Sequence, residues 1–401
     1  MNKMVCQFLC VWMVCDLSSQ VTSAQTRQNS TNATLQSAAQ NISAGKLENA
    51  ETELQSVLRS TPEDVRALDL LGVIRVLQHR ESQAEELFAK VVRKDPEFGP
   101  GHAHLGLVYV QMGRDDEAIP QLREALRIDP TRSDAVAGLA HILQKQSKSA
   151  VEAGDYGKAL KLLNEARADA PDDADVQYEF GVVAQHLALQ EDAVDAFQRT
   201  LQLRKHDALA RYNLGRAFMA LSKFEEARQQ FSEYIKLRSG DPSGHCALGM
   251  TLAALERSEE ARSEFERSIA LEPQQAESFF RLGLLELESR NFEAASKNLR
   301  HVIDLEPTHA PALTALGKLA FEQKNYEEAQ STLLRAINRD DSIREAHYYL
   351  GLTFARLGRE SESREQLEIA TRLEHEETEH RRTVMILDPG APGTPSKETK
   401  K

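Results

Sequence analysis

The chain has 401 residues, 41% hydrophobic but only 6% aromatic, too few large side chains for one core of that size; several domains, or repeats packing only on their neighbours, fit better. Only 13 prolines and 20 glycines among abundant Ala, Leu, Glu, Gln and Arg favour helices. A formal net charge of −13 opposes phosphate backbones and argues against general nucleic-acid binding, a local basic patch aside.

The chain opens on "MNKMVCQFLCVWMVCDLSSQVTSAQ". Lys3 is a thin positive region, Met4 to Cys15 a mostly apolar run broken by Gln7, and Thr22-Ser23-Ala24 a small-residue cleavage site before Gln25. Residues 1–24 are therefore read as a secretory signal with cleavage near Ala24, and the mature protein is expected to be secreted or periplasmic. The run is too short to span a bilayer, and no transmembrane segment is expected elsewhere. Trp12-Met13-Val14 before Cys15 are too bulky for a lipoprotein box. Cys6, Cys10 and Cys15 leave with the signal, so the mature chain keeps Cys246 alone and forms no internal disulfide. Asn29, Asn32 and Asn41 head N-x-S/T triplets. These matter only along a eukaryotic secretory route, and chance matches in an Asn/Ser/Thr-rich stretch explain them equally well.

After a short linker at 25–30, one period governs the chain. A small residue recurs at Gly72, Gly106, Ala140, Gly181, Gly215, Gly249, Gly283, Gly317 and Gly351, and all but one of these steps are 34 residues. An alanine usually follows 12 residues on (Ala84, Ala118, Ala193, Ala227), a large apolar residue 16 on (Phe88, Leu122, Phe197, Phe231), and a proline often closes the unit (Pro62, Pro96, Pro130, Pro171). Counting back from Gly72 adds Ala38, Ala50 and Leu54. Ten units result, starting near 31, 65, 99, 133, 174, 208, 242, 276, 310 and 344. Each reads as two amphipathic helices joined by a short turn. Repeated glycine inside a helix costs about 1 kcal/mol against Ala each time. That cost points to close backbone approach, and the small residue and the alanine 12 on are expected to mark the crossing.

This layout, Leu-Gly then Tyr, Ala, Phe, Ala and Pro in 34 residues, resembles the tetratricopeptide repeat; "GHAHLGLVYVQMGRDDEAIPQLREALRIDP" at 101–130 follows it nearly throughout. The resemblance covers about 31–373. It implies an all-α, right-handed superhelical solenoid of antiparallel helix pairs, with the first helix of each pair lining a concave groove. Three departures stand out. Nineteen residues rather than 12 separate Ala140 from Ala159. Seven extra residues make about two turns, so a long helix over about 134–153 is expected to project from one edge, a short helix with a loop being the alternative. The junction "LRKHD" lacks its proline, and Ser363 replaces the last alanine. Residues 374–387 are expected to extend the last helix and cap the stack, and residues 388–401 to be disordered.

Catalytic and cofactor signatures are missing: no phosphate-binding glycine loop, no dinucleotide fingerprint and no C-x-x-C pair occur. The histidines of "HEETEH" are five apart, not the four that share a helical face. His102 and His104 point to different sides of a helix, and His245 diverges from Cys246. No catalytic, cofactor or metal residue is assigned and no enzyme is expected.

By the resemblance, positions 5, 9 and 12 of each first helix face the groove. Position 5 gives Asp69, Tyr178, Tyr212, Cys246, Phe280, Thr314 and Tyr348; position 9 gives Val182, Arg216, Met250, Leu284 and Lys318; position 12 includes Met219 and Phe321. Candidate peptide-binding residues are Tyr178, Tyr212, Asn213, Arg216, Met219, Met250, Phe280, Arg281, Lys318 and Tyr348. Tyr and Met suit adaptable recognition, and Arg216, Arg281 and Lys318 suit a carboxylate of the bound segment. The family's clamp for a C-terminal carboxylate is not reproduced: Asn213 fits, but Glu179, Ala247, Val182 and Met250 do not. The expectation is a non-enzymatic, extracytoplasmic scaffold for a protein or peptide partner. The alternative is a non-catalytic accessory subunit of an extracytoplasmic enzyme or envelope assembly system.

Overall fold

The computed structural model describes residues 26–387; the expected signal at 1–24 and the tail at 388–401 lie outside the described residues. Among the described residues there are twenty helices and no strand. They run α1 (Thr26–Ser43), α2 (Leu47–Ser60), α3 (Val65–Leu77), α4 (Glu81–Lys94), α5 (Gly99–Gln111), α6 (Asp115–Ile128), α7 (Ser133–Glu152), α8 (Tyr156–Asp169), α9 (Ala174–His186) and α10 (Gln190–Leu203). Then follow α11 (Ala208–Ala220), α12 (Phe224–Leu237), α13 (Pro242–Ala254), α14 (Ser258–Leu271), α15 (Ala276–Glu288), α16 (Phe292–Leu305), α17 (Ala310–Glu322), α18 (Tyr326–Ile337), α19 (Arg344–Arg356) and α20 (Glu360–Leu387). The first helix starts within the stretch expected as a linker. The chain divides into two compact units, Met1–Glu179 and Phe180–Lys401.

Local chemistry sets the helix ends. The carboxylates of Asp64, Asp155, Asp207 and Asp241 accept backbone N–H groups of the first turn behind them, satisfying donors that have no partner within the helix. Within most pairs the turn needs one left-handed residue. Glycine supplies it at 45, 113, 154 and 358, but His79, Ala188, Ser222, Glu256, Arg290 and Lys324 adopt the same positive φ. At Ser222 the turn closes when Lys223 N–H donates to the Phe218 carbonyl at 2.8 Å. These bonds hold six non-glycine residues in a conformation that ordinarily disfavours a Cβ.

Inside each unit, odd-numbered helices contact the next odd helix and form one layer, while even-numbered helices form the other. The two layers meet at the recurring small residue. A Cβ built on Gly215 would lie 2.7 Å from the Phe231 ring, and Gly72 meets Phe88, Gly249 meets Phe265 and Gly317 meets Leu333 in the same way. The contact tight enough to exclude a Cβ is thus made by the large residue 16 positions on. Ala227 is itself fully buried beside it.

The long insertion is helical: α7 runs Ser133–Glu152, 20 residues. The added turns do not project. Gly138, in the first half, is pressed on Leu107 and Leu122 of α5 and α6. Ser147 is buried, and its hydroxyl donates to the Ala159 carbonyl of α8 at 3.4 Å. Ser147 precedes Ala159 by 12 residues and Leu163 by 16, the spacing that links Gly215 to Ala227 and Phe231. Seven residues therefore move the crossing from Ala140 to Ser147, and α7 serves its two neighbours in two registers. At the other end, α20 continues for 28 residues, and its residues 374–377 are exposed.

Candidate functional site

The side chains that most resemble catalytic groups are used as structural ties. His102, at the fourth position of its repeat, bridges Gln121 Oε1 (2.8 Å) and the Pro96 carbonyl (3.0 Å). His245 repeats this with Glu264 (2.7 Å) and the Ser239 carbonyl, and His347 with Gln366 (2.7 Å) and the Asp341 carbonyl. Each ring fastens an inter-repeat turn to its own helix pair. His245 is thereby committed to Glu264, and burial pushes the neighbouring Cys246 thiol up, which keeps it protonated and poorly nucleophilic. His104 pairs with Asp69 at 2.7 Å, both buried, and ties α5 to α3. Asp69, placed by position in the groove, is thus a core residue. Among the described residues no group of three or more His, Cys, Asp or Glu is arranged to hold a metal ion.

The remaining candidates lie on the odd-helix layer, and all but Tyr178 belong to the second unit. Burial separates them. Phe280 is buried, its ring 4.9 Å from that of His309. Tyr212 is half-buried against Phe231 (5.6 Å) and Tyr234 (5.1 Å). Burial raises its phenol above the ordinary value while the charge of Arg216 pulls the other way. Met219 is half-buried and accepts from the Thr251 hydroxyl at 3.1 Å, which joins α11 to α13, where Met250 is also half-buried. Tyr178 and Asn213 are half-buried, and the Asn213 carbonyl accepts from Gln185. Arg216 and Tyr348 are exposed, Tyr348 by 42% with its edge toward Tyr349 at 5.4 Å.

Two of the three expected cations are already neutralised. Arg281 pairs with Glu277 at 2.6 Å. Lys318 pairs with Glu345 at 2.9 Å and sits 5.4 Å over the Tyr349 ring. Burial would pull the Lys318 ammonium down, but the bond to Glu345 outweighs it and the group is raised. Position counting missed two features on or beside this layer. Leu209 is the most exposed large apolar residue described, at 55%. Tyr326 of α18 and Tyr349 of α19 extend the counted Phe321 into a chain of ring contacts. The clue to Leu209 was available: other repeats place Arg66, Asp134, Asp175, Glu277 or Glu345 at that second position.

The tetratricopeptide repeat family matches the chain at residues 42–97, 100–132, 145–203, 190–242, 246–308 and 286–352, well over half its length. The chain is a tetratricopeptide repeat protein. Two curated proteins share part of this repeat region. Superkiller protein 3 of Schizosaccharomyces pombe is 26% identical over 166 residues, 41% of this chain. Type IV pilus assembly protein PilF of Pseudomonas aeruginosa is 41% identical over 59 residues, 15% of this chain. The matches span only 11% and 23% of those relatives' own lengths. Among solved structures, a tetratricopeptide repeat protein from Parabacteroides merdae is 16% identical, covers 64% of this chain and 98% of its own, and has a TM-score of 0.45. MamA from Desulfovibrio magneticus is 20% identical, covers 43% of this chain and 97% of its own, and has a TM-score of 0.41. As a tetratricopeptide repeat protein the chain has the architecture of an interaction scaffold. In its second unit, position 5 mostly fills the space between successive odd helices, as Cys246, Phe280 and Thr314 show, all of them buried.

Proposed function

We propose that this tetratricopeptide repeat protein is a non-enzymatic, extracytoplasmic scaffold that binds a protein or peptide partner on the exposed face of its odd-helix layer in the second unit. The observation that carries the reading is the division of labour on α11. Leu214, Gly215 and Phe218 are buried in packing, while Leu209 and Arg216 on the opposite side are exposed. A surface fixed by its own helix pairs binds with little ordering cost on its side. Leu209 and Tyr348 are suited to anchoring apolar or aromatic side chains of such a segment.

The test uses Leu209→Ser with Tyr348→Ala, both exposed, so helical circular dichroism and melting should stay close to wild type. Retention of a partner from the native extracytoplasmic fraction should fall several-fold. Undiminished retention would remove the reading. The location has its own check, since the mature protein recovered from that fraction should begin at Gln25. The accessory-subunit reading is favoured by the 59-residue match to a pilus assembly protein. It expects stable co-purification with one enzyme or assembly complex.

A further inference from the structure

The scaffold reading leaves the chemistry of the partner open, and the charge distribution on the odd-helix layer narrows it. Arg281 and Lys318 carry Glu277 and Glu345, so binding an anion there would first require breaking an existing pair. Arg216 differs. It is exposed, with no hydrogen bond or ion pair among the described residues. Its counterparts on the flanking repeats are Val182 and Met250, which offer no carboxylate.

Around it, α11 presents Leu209, Tyr212 and Met219 at helical spacing on the same side. Leu209 lies seven residues away, about 10 Å along the axis at 1.5 Å per residue. Met219 and Met250 add unbranched thioether side chains that adapt to varied apolar shapes. A guanidinium beside such surface gains most from a carboxylate delivered with an apolar neighbour, because closing the contact excludes water from the charge-assisted bond. The net charge of −13 repels acidic ligands in general, but screening beyond about 8 Å leaves this cation's local attraction in force.

Resting on the scaffold reading, we infer that α11 and α13 form a subsite for a segment that pairs a carboxylate, received by Arg216, with bulky apolar side chains on either side of it, one received by Leu209 and one by the two methionines. The carboxylate belongs to an Asp or Glu side chain or to a C-terminus.

The experiment selects random short peptides from a display library on the full mature chain and on Arg216→Glu. Wild type should enrich peptides with an acidic group near Leu, Phe or Met, and the variant should lose that enrichment. A selected peptide should bind wild type about tenfold more tightly than Arg216→Ala, the effect of losing one charge-assisted bond. Converting its Glu to Gln, or amidating its C-terminus, tells which carboxylate is read. A wild-type pool without acidic enrichment, or identical pools from both proteins, overturns the subsite while leaving the scaffold intact. If neither protein selects any peptide, the subsite and the peptide-binding reading fall together.

Discussion

At the scale of single residues, chemistry and position part company. Glu179 is named by sequence position alone, as the place where a clamp residue would stand. In the structure it is half-buried on α9, and burial, with Asp175 and Asp173 nearby, pushes its carboxyl up to about 7 against an opposing pull from Lys148. A carboxyl raised on folding is held protonated in the native state. Stability therefore falls as pH climbs from the unfolded value of 4.5 through about 7. Glu179→Gln fixes the neutral form, so it should raise the melting temperature at about pH 8 and change it little at about pH 5. An equal effect at both would show that the group stays solvated. None of this was legible in the sequence, because the shift depends on what covers the carboxyl. The same holds for Arg216, Arg281 and Lys318, alike as cations on one layer until Glu277 and Glu345 are seen to occupy two of them.

At the scale of the helix pair, spacing was legible and the contact was not. Counting gives Gly215, Ala227 and Phe231 as a recurring set, and the alanine looks like the crossing partner. A helical side chain leans toward the helix N-terminus, so Phe231 covers the turn that holds Ala227 and its ring meets Gly215. The first pair of the chain carries a different combination at the same spacing, Ala38 and Leu54, both fully buried. Gly215→Ala should thus cost about 1–3 kcal/mol by overpacking, and Phe231→Leu about 1–2 kcal/mol by lost volume. Together they recreate the Ala38 and Leu54 combination. The double variant should be more stable than the sum predicts by about 1 kcal/mol, as expected for residues in contact. Strict additivity in chemical denaturation would mean that the ring and the glycine do not meet. The layer's exposure pattern escaped counting for a related reason. In the second unit position 5 is buried at Cys246, Phe280 and Thr314 and half-buried at Tyr212, whereas Tyr348 on α19 is exposed.

At the scale of the whole chain, the period decides more than any residue. A stack of repeats holds together through neighbour contacts, so each helix pair must hand the next one the correct face. The break at α7 shows how that rule tolerates an irregularity. At about 100° per residue, seven residues turn a helix to within about 20° of two full revolutions. Ser147 therefore replaces Ala140 at the crossing without redirecting α8. Removing residues 141–147 restores the 12-residue spacing to Ala159 and keeps the phase. That deletion should fold with near-wild-type helicity per residue and a cooperative melt, with Ala140 serving both registers. Removing only residues 148 and 149 rotates the end of α7 by about 200°. The segment after Ser147 would then turn exposed side chains such as Glu152 toward α8 and carry Ala150 out of the contact. This shorter deletion should lower helicity and broaden or abolish the transition, although it takes out fewer residues. If the larger deletion proves the more damaging, the two-register account of α7 fails.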